Sequence, residues 1–135
     1  MLHLPSEDFL ALKTLTVVTG NKITPTSSVV LSLRGDERIH NATGVGSVDA
    51  AMKAIEKGGL LEGIKLEEYH VDAITGETSS AVDVQVRLRD KINDSEVNAT
   101  SIANDIVMAS ISALLTGINK LIALQRFQGT RKKMV

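Results

Sequence analysis

Asn41-Ala42-Thr43-Gly44-Val45-Gly46-Ser47 leads into a helix-like run, and Asn98-Ala99-Thr100-Ser101-Ile102-Ala103-Asn104 leads into another, roughly 57 residues later. Both stretches have one grammar: a polar strand end, small residues around an aliphatic, a capping side chain, then an apolar helix. Self-similarity at a fixed period marks duplicated supersecondary units, neither of which buries its apolar face alone. Two such units would share one core. The seam between them, and any surface beyond it, is then the first place to look for function.

Further echoes extend the repeat outward. Val18-Thr19-Gly20 and Ile74-Thr75-Gly76 each close a strand-like run, and Ser27-Ser28-Val29-Val30-Leu31-Ser32-Leu33-Arg34 resembles Ser80-Ala81-Val82-Asp83-Val84-Gln85-Val86-Arg87-Leu88-Arg89. The offset drifts by about two residues, as insertions in turns require. In the first half, residues 9–20 and 28–34 read as strands, Gly35-Asp36 as a tight hairpin turn, and 37–43 as the returning strand. Ser47 is the expected N-cap of a helix with Asp49 in its first turn. Val48, Ala51, Met52 and Ile55 share one face of that helix, and Gly58-Gly59 stops it.

The second half repeats the plan. Residues 64–76 form a long extended run. In 80–89, Val82, Val84, Val86 and Leu88 face one way and Asp83, Gln85, Arg87 and Arg89 the other, a sheet with one wet face. Asn93-Asp94 supplies a turn, and Asn104 is the expected cap of a helix of about 20 residues carrying Ile111, Leu114, Leu115, Ile118, Leu121 and Ile122 at helical spacing. The order βββα-βββα predicts an α+β fold, an antiparallel sheet packed on two helices.

Composition narrows the functional classes. A chain of 135 residues is one domain by size. Its aromatics are Phe9, Tyr69 and Phe127 alone, so Val, Ile, Leu, Ala and Met must build the core. A net charge of −1 makes no electrostatic case for nucleic acid or an anionic membrane. Only residues 126–133 are basic, and they read as a solvated end. With no cysteine, disulfides and thiolate metal sites are excluded. Asn41-Ala42-Thr43, Asn93-Asp94-Ser95 and Asn98-Ala99-Thr100 fit the glycosylation pattern but read as strand and turn residues. Ser110, Ser112, Thr116 and Asn119 interrupt the longest apolar stretch, which argues against a membrane span. A cytoplasmic location is the expectation.

Catalytic chemistry needs convergent polar groups, and this chain offers few. His3, His40 and His70 lack metal-ligand spacing. Ser47 and Ser110 sit in no nucleophile elbow, and Glu67-Glu68 and Asp105 face no partner across a pocket. No catalytic residue and no metal site is read here. Gly44-Val45-Gly46-Ser47 carries two readings: a cradle in which backbone and helix-start amides meet a carboxylate or phosphate, or a tight turn that needs glycine. Tyr69 likewise either completes an aliphatic core or walls a small apolar pocket with its hydroxyl toward a ligand. Asp83, Gln85 and Arg87 solubilise the sheet.

Several segments together resemble a known module. Leu15-Thr16-Val17-Val18-Thr19-Gly20-Asn21-Lys22-Ile23-Thr24-Pro25-Thr26, Gly44-Val45-Gly46-Ser47-Val48-Asp49-Ala50-Ala51, Ala73-Ile74-Thr75-Gly76 and Asp105-Ile106-Val107-Met108-Ala109-Ser110 are similar to the C-terminal regulatory domain of the 2-isopropylmalate and citramalate synthases, archaeal members above all. The resemblance implies two βββα units about a pseudo-twofold in a homodimer. It also implies feedback inhibition by leucine or isoleucine, and a separate TIM-barrel catalytic domain holding the divalent metal and the acetyl-coenzyme A chemistry. The domain would span residues 9–125, with repeats at about 9–59 and 60–125, an extension at 1–8 and a basic tail at 126–135. Its implied effector pocket comprises Gly44, Val45, Gly46, Val48, Asp49, Tyr69, Ala73 and Ala81, with helix-start amides for the carboxylate and Asp49 for the ammonium. Ser47 stands where the family usually has proline, and Glu77 and Ala103 where it often has glycine. The alternative is a dimerisation module that binds no ligand.

Overall fold

The two most regularly alternating segments become the central strands of two separate sheets. The computed structural model describes residues 9–59, 62–75 and 80–133. The elements are β1 (Leu10–Val18), β2 (Thr26–Leu33), β3 (Asp36–Thr43), α1 (Ser47–Glu56), β4 (Ile64–Thr75), β5 (Ser80–Asp90), β6 (Ser95–Ala103) and α2 (Ile106–Lys133). Each sheet is antiparallel and three-stranded, in the orders β1-β2-β3 and β4-β5-β6. The expected α+β fold of two βββα units is present, with its strands divided between two sheets rather than joined in one.

Both units carry the same irregularity at the same place. The β1–β2 register shifts between Leu12 and Thr14, and the β4–β5 register shifts between Leu66 and Glu68. A bulge bends and twists its strand, so duplicated bulges give two sheets of matching curvature. The register also corrects the literal sequence match. Val29 pairs with His40 and Val86 with Ala99, so Ala42 corresponds to Ser101 and Gly44 to Ala103. The two-residue turn Arg34-Gly35 in one unit faces the four-residue turn 91–94 in the other, which accounts for the slip. Arg34 and Gly35 both have positive φ, 53° and 86°, so they form the hairpin turn and Asp36 opens β3, one residue from the expected place.

The helices touch each other and each carries a sheet. α1 lies on β2 and β3, while α2 lies on β5 and β6 and also reaches β1. The main core joins Leu10, Val29 and Leu31 to Ala51, Ala54 and Ile55 of α1. It continues through Leu88 and Val97 to Ile111, Leu114, Ile118 and Leu121 of α2. Each large aliphatic buried this way contributes about 1.5–3 kcal/mol. A smaller cluster of Val84, Val86, Ala99, Ala109 and Ala113 lies under the second sheet.

Residues 106–125 of α2 are long and apolar enough to cross a bilayer, with mean hydropathy 1.7, contrary to the compositional argument. Half of that stretch is buried inside the protein, and Ile111, Leu114, Ile118 and Leu121 pack in the shared core, so α2 is a core helix. It is also longer than expected and continues through the basic segment to Lys133. Residues 1–8, where an extension was expected, lie outside the described residues.

Two polar devices tie α2 to the strands. Asn119 accepts from the Leu10 amide at 3.0 Å and donates to the Leu10 carbonyl at 2.9 Å, matching the pairing of a neighbouring strand. Asp90, 2 % exposed, accepts from the amides of Ile92 and Asn93, from the Asn93 side chain and from Gln125 of α2. Burial pushes its carboxyl up, and these donors outweigh that effect and hold it below the usual carboxylate value.

Candidate functional site

The helix starts differ in how their free amides are satisfied. The first turns of α1 need partners for their N–H groups, and the cap position is Gly46, in extended backbone, with no side-chain cap bond. Ser47, the expected cap, is instead the first helical residue. Asp49 Oδ2 reaches back to accept from the Val45 amide at 3.0 Å and pairs with Lys53 Nζ at 3.0 Å. The Val45 amide first and then Lys53 hold the Asp49 carboxyl below its ordinary value. Asp49 is therefore a brace of the turn, already paired with a cation. Gly44 is required by close approach: a Cβ there would lie 2.4 Å from the Ala50 nitrogen. A Cβ at Gly46 would meet nothing within 4 Å, and Val45 is 92 % exposed. The glycine motif thus combines a packed turn with an open helix start.

In the second unit a carboxylate fills the equivalent place. Asp105 Oδ1 accepts from Val107 at 2.6 Å and Met108 at 3.3 Å. Asp105, rather than the expected Asn104, caps α2.

The second group of candidate residues sits on the edge strand β4. Ile64, Leu66, Tyr69, Val71 and Ala73 share its helix-side face by register with Leu88, Val86, Val84 and Val82. Among the described residues, no Cα of either helix lies within 8 Å of a Cα of β4. Met52 and Glu56 of α1 line a cavity of about 50 Å³ together with Ile64 and Leu66, and Ile64 packs against the main core. Past that point cover is partial: Val71 packs against the cluster of Ala109 and Ala113, while Tyr69 is 38 % exposed and Ala73 is exposed. The Tyr69 hydroxyl reaches α2, 2.6 Å from the buried Ser110 Oγ. Ala81 pairs with Ile74, on the opposite face of the sheet from Tyr69 and Ala73. One chain therefore places the eight candidates on three surfaces: Gly44, Val45, Gly46, Val48 and Asp49 at the α1 start, Tyr69 and Ala73 on the inner face of β4, and Ala81 on the outer face.

That outer face is a closed ionic network. Arg89 bonds Glu67 at 2.7 Å, Glu96 at 2.8 Å and Asp94 at 3.3 Å, while Arg87 pairs with Glu68 and with Glu96. The Glu67 hydrogen bond, first among its acidic neighbours, raises the Arg89 guanidinium above its ordinary value. Glu67 is the extra residue of the bulge, so one irregularity adds a carboxylate to this face. A depression of about 470 Å³ lies here beside Asp83, Gln85, Arg87 and Lys120, away from Tyr69's face. Its charges neutralise one another, as expected of a solvated sheet surface. Among the described residues, no three His, Asp or Glu side chains converge as metal ligands.

Sequence reasoning missed Ser110 as a partner of Tyr69, having read it as an interruption of the apolar stretch in no nucleophile elbow, and missed Asp105 as a cap. The first needed a contact across 41 residues. The second was legible, since aspartate is as good a cap as asparagine.

Comparison with known proteins bears on the whole of this architecture. The family model described as the LeuA allosteric (dimerisation) domain matches residues 2–122. A protein of Methanothermobacter thermautotrophicus, provisionally named (R)-citramalate synthase, is 44% identical over 133 residues, covering 96% of this chain and 26% of that protein. The 2-isopropylmalate synthase of Methanocaldococcus jannaschii is 44% identical over 112 residues, covering 83% of this chain and 21% of that enzyme. A second provisionally named (R)-citramalate synthase, from Methanosarcina acetivorans, is 39% identical over 124 residues, 90% of this chain and 25% of its own length. The chain spans about a quarter of the length of the curated relatives it matches.

Proposed function

The chain belongs to the LeuA allosteric (dimerisation) domain family, and on that premise we propose that it senses a branched-chain amino acid, leucine or isoleucine. The site would lie at the interface of a homodimer and mediate feedback inhibition of a cytoplasmic synthase. The observation that carries this reading is the partly open inner face of β4, where Tyr69, touching α2 only through its hydroxyl bond to Ser110, and Ala73 leave aliphatic and aromatic surface exposed. A monomer has little reason to leave such a strip wet, and a second copy with an aliphatic ligand between would cover it. The uncapped amides at the start of α1 supply the complementary chemistry for a carboxylate. Since Gly44–Gly46 and Tyr69 stand on different surfaces of one chain, the site is completed by the α1 start of the partner copy.

The remaining parts follow the same proposal. Catalysis, with its divalent metal and acetyl-coenzyme A, belongs to a separate barrel that makes 2-isopropylmalate, citramalate or a related product. A coupling of about 1–3 kcal/mol between effector and barrel gives about 5- to 150-fold control. In the second reading this is a dimerisation module without a ligand, which the brace role of Asp49 favours, because its carboxylate already has a cation.

Calorimetric titration with L-leucine and L-isoleucine, with L-valine as control, separates the two. Saturable heat with one of them, lost in Tyr69→Ala while the fold persists, is the expected result. No heat from a folded dimer leaves the dimerisation module.

A further inference from the structure

Tyr69 and Ser110 occupy places that the first unit fills with two apolar side chains. Tyr69 lies opposite Val86, three residues past Leu66 at the bulge, as Leu15 lies opposite Val29, three residues past Leu12. Ser110 is the fifth residue of α2, as Ala51 is the fifth of α1. Ala51 belongs to the main core and Leu15 packs against that core. In the second unit a phenol and a hydroxyl replace them, and they bond to each other at 2.6 Å.

Placing a hydroxyl where the repeat tolerates alanine brings a desolvation cost that only its partner offsets. Ser110 is fully buried, and Tyr69 is its partner. The bond also does what packing does not. Tyr69 is 38 % exposed on this edge strand, so its ring is held at one end by Ser110 rather than enclosed on all sides. Small side chains, Ala109 and Ala113 of α2 and Ala99 and Ala103 of β6, keep the adjoining cluster low.

We infer that Ser110 is the positioning residue of the effector site, fixing the Tyr69 ring as the wall against which the aliphatic side chain of an α-amino acid packs. The inference rests on the effector reading above and goes beyond it by naming what sets the shape of the pocket. A ring fixed at its hydroxyl discriminates between γ- and β-branched side chains. A ring free to turn accepts both.

Tyr69 is the chain's single tyrosine and tryptophan is absent, so intrinsic emission reports on this ring alone. The test titrates the full chain, Ser110→Ala, Ser110→Thr, Tyr69→Phe and the double variant Tyr69→Phe/Ser110→Ala with L-leucine and L-isoleucine. Heat is followed in all, and emission wherever Tyr69 is kept. Ser110→Ala is expected to weaken the preferred amino acid about tenfold and to bring the leucine and isoleucine affinities together, with the thermal transition and dimer retained. Ser110→Thr restores both. The double variant is no weaker than either single change, since one bond is lost only once. Unchanged affinity and selectivity in Ser110→Ala, or single effects that multiply, overturns the inference while the effector reading stands. Absence of binding in the parent chain overturns both.

Discussion

β1 and β4 carry the same bulge in the same register, yet β1 lies close under both helices while β4 stands farther from them and stays partly exposed. Leu10 at the start of β1 is 1 % exposed, while its counterpart Ile64 is only partly buried. The outer faces part company as well. Thr14, Thr16, Ser28, Ile39 and Asn41 keep the first mostly uncharged, with Glu37 near one end, whereas Arg87, Arg89, Glu67, Glu68 and Glu96 make the second a charge lattice. The helix starts differ in the same sense, bare at Gly46 and closed by Asp105. The duplication has kept what both units need for a shared core, the bulges, the central strands and the inward aliphatics. Divergence sits on one edge strand, the outer sheet faces and the two helix starts, surfaces that a ligand or a second copy can reach.

The largest expected effect probes what the units share. Ile118→Ala removes a side chain that is 1 % exposed in the core common to both, at a cost of about 2–5 kcal/mol. Denaturant unfolding of this variant should remain a single transition. Separate transitions for the two units would break the shared-core description.

Asp90 sharpens the contrast, because its counterpart in the first unit is Leu33. Asp90→Ala removes the buried acceptor shared by the Ile92 and Asn93 amides, the Asn93 side chain and Gln125, at a cost of about 1–3 kcal/mol in all, since these donors can turn to water. The carboxyl is held below its unfolded value, so its contribution is present above about pH 4 and is lost as pH falls through the native value. Urea midpoints measured down that range should fall more steeply for the parent chain than for the variant. Parallel pH profiles would show that the group contributes no acid sensitivity.

Smaller effects separate the helix starts. Asp105→Ala removes a side-chain cap and should cost about 0.5–2 kcal/mol. Ser47→Ala touches no cap bond and should stay within about 0.5 kcal/mol. Equal losses in thermal unfolding would mean that Ser47 caps α1 in solution after all.

Much of this was legible in the chain. The alternation of Val82, Val84, Val86 and Leu88 against Asp83, Gln85, Arg87 and Arg89 placed β5 and its wet face correctly, because period-2 burial is written in consecutive residues. The Asn-Ala-Thr echo gave the duplication but not its register. A slip of two residues preserves which side chains face inward, so the pattern could not detect it. The bulges left no signal, since Lys13 and Glu67 are ordinary strand residues. The split into two sheets was hidden for a similar reason, as strand pairing is set by contacts between distant segments. At the candidate site, Gly44 was readable as a position where backbone meets backbone. The Tyr69 to Ser110 bond was not, because nothing local to either residue names the other.

Amide hydrogen exchange with and without saturating L-leucine or L-isoleucine shows whether the partly open inner face of β4 receives the effector. Slowed exchange is expected across residues 69–73 and 45–49, with β1 unchanged because its inner face lies under both helices. Slowing confined to the first sheet, or none under saturating amino acid, would contradict that placement of the effector.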